Sequence, residues 1–538
     1  GLGSVAVQAP VEGAGVVDGA PELPIVSVGA AVGLSTLADD GHDTTVRNID
    51  GVRAADGAPE LRLPLTSVGA AVGLSTFADD GLDTIARAID GARAAEQARL
   101  LARFGNDAAK AESGTAVGAS AMWTLIFNPA ENGGLIMPVS RTWNFAPSPA
   151  NDDWTYAIFD WDNLFATLLA ALDGGADAEA YAYSNLFQVM KSKTAAGFVP
   201  NYAAGGMRTQ DRTEPPVGAK VVLEVFKKFN QSWVVDVVWD DMLDWSDWFL
   251  RRRLLHPDGL VALGSFNEQS QHGSEAGGGT NNMQAARLES GLDNSPMYDG
   301  EFFDANRTHL MQLYDVGMSS MFVQEAYALA ELASLTGRSD QVADLRARGD
   351  AMKAKIASNL WDESLQVFSN RFPNGSFYPR ISPTSFYAMQ AHAPTDAQAA
   401  AMVTAWLTNS SRFCVAPGGD FAGNADTCYW GLPSISADDP AFPPLGYWRG
   451  YVWGPMAQLT HWALQEYDHV PEVRAARKAM CRQLDALMLS QWRAHRHICE
   501  NYNPHKTADT SHGDCSGTQF YHWGALTGLI GLVEDGLW

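Results

Sequence analysis

From about residue 120 onward, apolar residues recur at helical spacing along most of the chain. Between 316 and 336, Met318, Met321, Phe322, Ala326, Leu329, Ala330 and Ala333 fall on one face of a helix. Gly337 stops that helix, and Ser339 is placed to cap the next, 340–360, whose stripe is Val342, Leu345, Met352, Ile356 and Leu360. Thr395 with Gln398 makes a capping box ahead of 396–408. Pro471 suits the first turn of 471–493. The same reading predicts helices at 160–172, 178–193, 217–229, 233–252, 383–392, 451–467 and 519–534.

The links between these helices alternate. Short ones fall near 174, 231, 338, 394 and 469, and long ones at 194–216, 253–315, 361–382, 409–450 and 494–518. If each short link closes an antiparallel hairpin, all the long links lie at one end of the molecule. The Val/Ile-rich strands that parallel β/α repeats need are mostly missing. With a further helix at 82–103, twelve helices make six hairpins. The predicted fold class is all-α, a double ring of helices with one elaborated face.

The N-terminal part reads differently. SVGAAVGLSTLADDG at 27–41 returns as SVGAAVGLSTFADDG at 67–81, and two copies are too few for a solenoid. Residues 1–105 are read as an extension carrying this duplicated element plus a helix packing on the ring, and 106–538 as the main domain. The duplication suits packing or self-association and holds no recognisable chemistry. The chain opens on Gly1 without a charged start and apolar run, the pattern of a removed leader or of a fragment.

Composition narrows the function. Only 18% of the 538 residues are charged, while 46% are apolar and 17 are tryptophan, which argues for a packed globule. The net charge of −25 disfavours nucleic acid and anionic membranes as partners. No apolar run reaches the roughly 18 residues that a membrane crossing needs. Five cysteines include no C-x-x-C pair, which argues against a zinc or thioredoxin-like site. Their spacing suits bridges Cys414–Cys428 and Cys499–Cys515, with Cys481 left free. That framework leans towards a secreted or lumenal protein. Glycosylation sequons at Asn230, Asn306, Asn374 and Asn409 occur at about chance frequency.

A nucleophile elbow, a P-loop, a dinucleotide fingerprint and H-E-x-x-H are all missing. What the long links do hold is Trp, Tyr, Asn and carboxylates. In YAIFDWDNLFA (156–166), Asp160 reads most simply as a helix cap. Trp161 beside Asp162 suits a sugar subsite, an indole face meeting C–H groups while a carboxylate accepts from hydroxyls. In ARLESGLDNSPMYDG (286–300), Glu289, Asp293, Tyr298 and Asp299 are candidates, although loop aspartates are as often turn formers. Glu500 lies among Asn501, Tyr502 and Asn503, ahead of Phe520-Tyr521-His522-Trp523. In YWRGYVWGP (447–455), Arg449 either pairs with a carboxylate or joins Tyr447, Trp448 and Trp453 in lining a ligand pocket. Two carboxylates from different loops in a Trp-rich basin are the minimum equipment for hydrolysing a glycosidic bond.

Several of these segments, in this order, resemble glycoside hydrolase family 63, in particular its mannosylglycerate and glucosylglycerate hydrolase branch. They are PVSRTWN (138–144), FDWDNLF (159–165), GFVPNY (197–202), DRTEPPVGA (211–219), ESGLDNSP (289–296), YWRGYVWGPM (447–456) and ENYN…FYHWGAL (500–526). The resemblance implies an (α/α)6 barrel and an inverting mechanism with Asp293 as acid and Glu500 as base. It places Trp161, Asp162, Tyr447, Trp448 and Arg449 around the sugar, with Asn201, Glu214, Tyr298, Trp453, His522 and Trp523 in the matching motifs. It calls for no cofactor; a structural calcium ion is compatible with the wider family, but the chain has no EF-hand-like loop.

Two departures stand out. Where the family usually reads Arg-Ser-Gln-Pro-Pro, this chain has Arg212-Thr213-Glu214-Pro215-Pro216, and where Thr-Gly is common it has Thr507-Ala508. The expected function is an inverting glycosidase acting on α-linked glucose or mannose in a small glycoside or oligosaccharide. The rivals are a trehalase-like or glucoamylase-like enzyme of the same fold, and a carbohydrate-binding or structural protein that kept the toroid and lost turnover.

Overall fold

A computed structural model describes residues 81–128, 134–141, 144–145, 155–204, 207–266, 279–416, 431–505 and 515–538. All of them fall within one compact unit, 58–538. The first copy of the duplicated element and all but the last residue of the second lie outside the described residues, as does Cys428.

Most of the predicted helices form. Helices α1 (Gly81–Arg103), α2 (Ala108–Thr124), α3 (Asp160–Ala170), α4 (Gly175–Lys191), α5 (Gly218–Phe229) and α6 (Ser232–Arg252) are followed by the short α7 (Met283–Leu288). After it come α8 (Val316–Leu335), α9 (Val342–Asn359), a 3₁₀ segment Pro383–Met389, α10 (Asp396–Met402), α11 (Gly454–Gln465), α12 (Pro471–His495) and α13 (Leu526–Glu534). Among the described residues, α3, α5, α8, the 3₁₀ segment, α11 and α13 pack on one another in that order, and α13 returns to α3. These six form a closed inner ring. Five of them are backed by a partner: α3 by α4, α5 by α6, α8 by α9, α11 by α12 and α13 by α2, while α10 packs on α12.

Burial follows from this layering. Every residue of α3 and nearly every residue of α8 and α11 is buried, so these inner helices are enclosed on all sides and hold their polar residues inside. The outer helices bury one face each.

The twelfth ring position is a correction. The helix at 81–103 forms, but most of it is exposed and it packs on α2 alone among the larger helix contacts. The ring is completed by α2, whose buried face is Ser113, Gly114, Ala116, Val117, Ser120, Ala121 and Thr124. Such a stripe of small residues gives little apolar periodicity, yet it lets α2 approach closely. A Cβ on Gly114 would stand 2.1 Å from the Phe104 ring. Asp107 caps α2, accepting from the N–H groups of Ala109 and Lys110.

Local signals set most other boundaries. Thr395 and Gln398 form the capping box that the sequence predicts, and Asp315 caps α8 through the N–H of Met318. Gly337, at φ +83°, ends the α8 region, but Ser339 does not cap α9, which starts at Val342 with Gln341 before it. The predicted 383–392 helix is only a 3₁₀ segment, Pro383–Met389; the predicted 519–534 helix starts later, as a 3₁₀ turn at His522–Ala525, and 396–408 ends as a π-turn over Val403–Leu407.

One capping interaction is long-range. Helix α5 has no side-chain cap of its own. Instead Glu325 of α8 accepts from the N–H groups of Ala219 (2.6 Å) and Lys220 (2.9 Å), satisfying orphan donors at the helix start. Burial raises the Glu325 pKa to about 7, against the pull of those two N–H groups. A folded-state pKa above the unfolded value of 4.5 means the native state binds the proton more tightly. Its contribution is therefore fully present below pH 4.5 and is lost as pH rises through 7. At about 1.4 kcal/mol per unit this is on the order of 3 kcal/mol. We expect Glu325→Gln to flatten the decline in stability between pH 4.5 and 7, read as Tm against pH. Parallel curves for the two proteins would disprove it.

Candidate active site

The links entering the inner-ring helices meet at one end of the barrel. At the start of α3, Asp160, Trp161 and Asp162 are all buried. Asp160 Oδ2 accepts from the Thr213 hydroxyl (2.9 Å) and the Glu214 N–H (3.1 Å), so it struts the 211–216 loop. Asp162 Oδ1 accepts from the Tyr521 hydroxyl at 2.6 Å. Burial pushes the Asp162 carboxyl well above the usual range; the Tyr521 bond opposes this, and the charges of Asp293 and Glu500 reinforce it.

Asp293 occupies a turn docked by its neighbour. Asn294 donates from Nδ2 to the Gly446 carbonyl (3.1 Å), and its Oδ1 accepts from the Trp448 N–H (2.9 Å). This brings the Asp293 turn against Tyr447, a non-glycine residue held at φ +56°, an uncommon conformation for a bulky side chain. The Tyr447 hydroxyl donates to Glu500 Oε1 at 2.5 Å. Burial raises the Tyr447 phenol, and the charges of Glu500 and Asp293 add to it. Asp293 and Glu500 thus both act on Asp162 and Tyr447.

Glu500 sits on the strand Cys499–Tyr502, between the strands Val452–Trp453 and Cys515–Gln519. The register slips from Cys499↔Gln519 to Asn501↔Ser516, so Gly517 and Thr518 together face Glu500. This bulge turns the Thr518 N–H onto Glu500 Oε2 at 2.7 Å. Gly517 is at φ +101°, and a Cβ there would stand 2.4 Å from Oε2. Burial raises the Glu500 carboxyl, while the Tyr447 and Thr518 hydrogen bonds draw it down. A Cys499–Cys515 disulfide staples this C-terminal hairpin. Cys481 is free and buried, and Cys414 is disulfide-bonded.

The tryptophans form a wall. Trp448 and Trp453 stack at 3.6 Å, and Trp523 stands edge-on to both. Trp523 Nε1 donates to the Glu500 carbonyl (2.9 Å), and Trp453 Nε1 to that of Tyr447 (3.2 Å). Trp161 is only 1% exposed, so its indole is packed into this wall rather than open to solvent.

Other predicted site residues are committed to the fold. Arg449 pairs bidentately with Asp299 (2.9 and 2.7 Å), the first of its two readings. The Tyr298 hydroxyl donates to Asp315 (2.7 Å), and Asn201 Oδ1 accepts from Arg212 (3.2 Å). Glu214 is buried too, but it is its backbone N–H and not its carboxylate that Asp160 holds. His522 is fully buried, which lowers its pKa to about 3 and keeps the imidazole neutral. Sequence reasoning passed over Asn294, Gly517, Thr518 and Tyr521; Asn294 and Tyr521 lie inside quoted motifs, but neither carries its role in its residue type.

Among the described residues, His461, Cys481 and Glu534 are near enough to share a cation. However, Arg477 already grips both Glu534 oxygens (2.8 and 3.0 Å). The other such group contains the bridged Cys499 and Cys515.

A family model described as a mannosylglycerate hydrolase MGH1-like glycoside hydrolase domain matches residues 156–524. The chain belongs to this family. It is a glycosidase. Among solved structures, it is similar to the GH63 mannosylglycerate hydrolase from Thermus thermophilus in complex with glucose. The TM-score is 0.54 at 16% identity, covering 78% of this chain and 99% of that one. The same enzyme with Tris and D-glycerate gives 0.52 at 16%, covering 77% and 99%. Neutral trehalase Nth1 from Saccharomyces cerevisiae gives 0.52 at 16%, covering 72% and 76%. At such identity these likenesses speak for the fold, consistent with an (α/α)6 barrel. No curated protein matches the chain.

The bridge closes a separation of 16 residues, a loop size for which chain entropy is worth about 3 kcal/mol. The hydrolase with Cys499→Ser and Cys515→Ser should therefore melt lower and turn over more slowly, because Thr518 is no longer pinned under Glu500. Calorimetry with steady-state kinetics checks this, and an unchanged Tm and kcat would rule out the brace.

Proposed function

We propose that this hydrolase inverts configuration, removing α-linked glucose or mannose from the non-reducing end of a small glycoside or oligosaccharide, with Asp293 as general acid and Glu500 as general base. The observation that carries this reading is that Asn294 docks the Asp293 turn on Gly446 and Trp448 while Tyr447, between them, donates to Glu500, so that two carboxylates from separate links meet in one cluster. Carboxylates crowded in a low-dielectric site cannot all ionise near neutral pH, so the cluster retains a proton. Glu500 has donors on both oxygens, which favours its anion and suits it to take a proton from water. Asp293 then gives its proton to the departing oxygen, and the water enters from the opposite face of the sugar.

A trehalase-like Glu–Glu pair finds no support at the 289–296 motif. Glu289 is held bidentately by Arg253 (2.7 and 2.8 Å) and accepts from the Gly264 N–H. The Cys499–Cys515 bridge supports an oxidising, secreted or lumenal setting.

Asp293→Asn and Glu500→Gln should each fold and lose at least about 100-fold in kcat. NMR of the first-formed product should show the opposite anomer; retention would defeat the inverting assignment. Specificity should depend on Glu214, a carboxylate where relatives of the branch use an amide. Ionised, it accepts from neutral sugar hydroxyls and repels an anionic aglycone. Neutral α-glycosides should be preferred, with Glu214→Gln shifting the kcat/KM ratio towards glucosylglycerate or mannosylglycerate. An unmoved ratio would remove Glu214 from the specificity argument.

A further inference from the structure

The residue after Glu500 is not explained by the fold. Asn501 is fully buried, yet neither its Oδ1 nor its Nδ2 has a hydrogen-bond partner. A buried carboxamide left in that state bears its full desolvation penalty, so its retention calls for a use.

Successive side chains on a strand normally point to opposite faces. Here the β-bulge and the missing side chain of Gly517 bring Glu500 and Asn501 to a common notch. A Cβ built on Gly517 would lie 2.4 Å from Glu500 Oε2 and 3.1 Å from Asn501 Nδ2. The carboxylate and the carboxamide therefore flank the same point, one on either side of a glycine that leaves room for both.

We infer that Asn501 is a positioning residue for Glu500, an amide that can satisfy the base in both of its protonation states. This rests on the assignment of Glu500 as general base. In each inverting cycle that carboxylate begins ionised and ends carrying the proton taken from water. A carboxamide is one of the few neutral groups that serves both forms: Nδ2 donates to the anion, and Oδ1 accepts from the protonated acid. Tyr447 and Thr518 already hold the two oxygens from the other sides, but the Thr518 N–H can only donate. The Tyr447 hydroxyl can also accept, but it sits on Oε1; Asn501 supplies an acceptor on the Oε2 side without adding charge. The glycine is part of the device, because any side chain at 517 would part the two groups.

The test is the pH dependence of kcat/KM on an α-glycoside. Asn501→Leu keeps the shape and removes both polar ends; because the bond to the anion is the stronger of the two, the acid limb should move about one unit to higher pH and kcat should fall roughly tenfold, with KM little changed. Asn501→Asp keeps the size and adds a like charge, and it should move the limb further. Because this variant stays polar, it reads the effect even if the leucine variant fails to fold. A limb at the wild-type position in a folded variant of either kind would overturn the inference. Glu500→Gln separates the two ideas. If that variant remains active, the base assignment falls and Asn501 with it; if it is dead while the Asn501 limbs stay put, only the role of Asn501 is lost.

Discussion

Burying negative charge at the end of an apolar barrel is the constraint on which this structure turns. Removing a carboxylate from water favours its neutral form, and two or more together favour it further. At Glu500 and Asp162 the described hydrogen-bond donors are neutral: the hydroxyls of Tyr447 and Tyr521 and the N–H of Thr518. Neutral donors moderate the desolvation without cancelling it, whereas a guanidinium would pin the group as an anion. Neither carboxyl is thus fixed as an anion by a neighbouring cation among the described contacts. The strained Tyr447 backbone, the bulge at Gly517 and the stacked tryptophans each fix one of these donors or the strand that carries Glu500.

The structural carboxylates show the contrast. Glu289 is gripped by Arg253 and by two backbone N–H groups. Glu325 caps α5, and Asp160 holds the 211–216 loop. Each spans two parts of the chain and accepts from backbone or side-chain groups of the fold. An acidic residue in a long link is thus sorted by what it accepts from, not by how deeply it is buried, since all of these are buried.

That difference explains what the sequence could reveal. The apolar stripes of α8 and α9, the capping box at Thr395 and the alternation of short and long links were legible, because each is a local pattern. Helix α2 was not, since its buried face is alanine, serine and glycine and mimics no amphipathic period. The motifs around Asp293, Tyr447 and Glu500 announced a polar, aromatic cluster. They did not say that Arg449 would turn to Asp299, Tyr298 to Asp315 or Asn201 to Arg212. Residue type gives the hydrogen-bonding repertoire, and the tertiary path of the chain picks the partner.

The closure of the ring by α2 against α13 reaches further than packing. The first ring helix to leave the ribosome must wait for the last one, with nearly the whole domain made in between. Loop closure over such a length costs little more than over a shorter one, since the entropy grows only logarithmically. The delay in synthesis is real nonetheless, and until α13 arrives one flank of the inner ring stands uncovered. The hairpin carrying Glu500 directly precedes that final segment. A nascent chain therefore holds Trp448 and Trp453 well before the strand that carries Glu500 is made, and the buried carboxylate cluster is complete only shortly before the last helix of the ring.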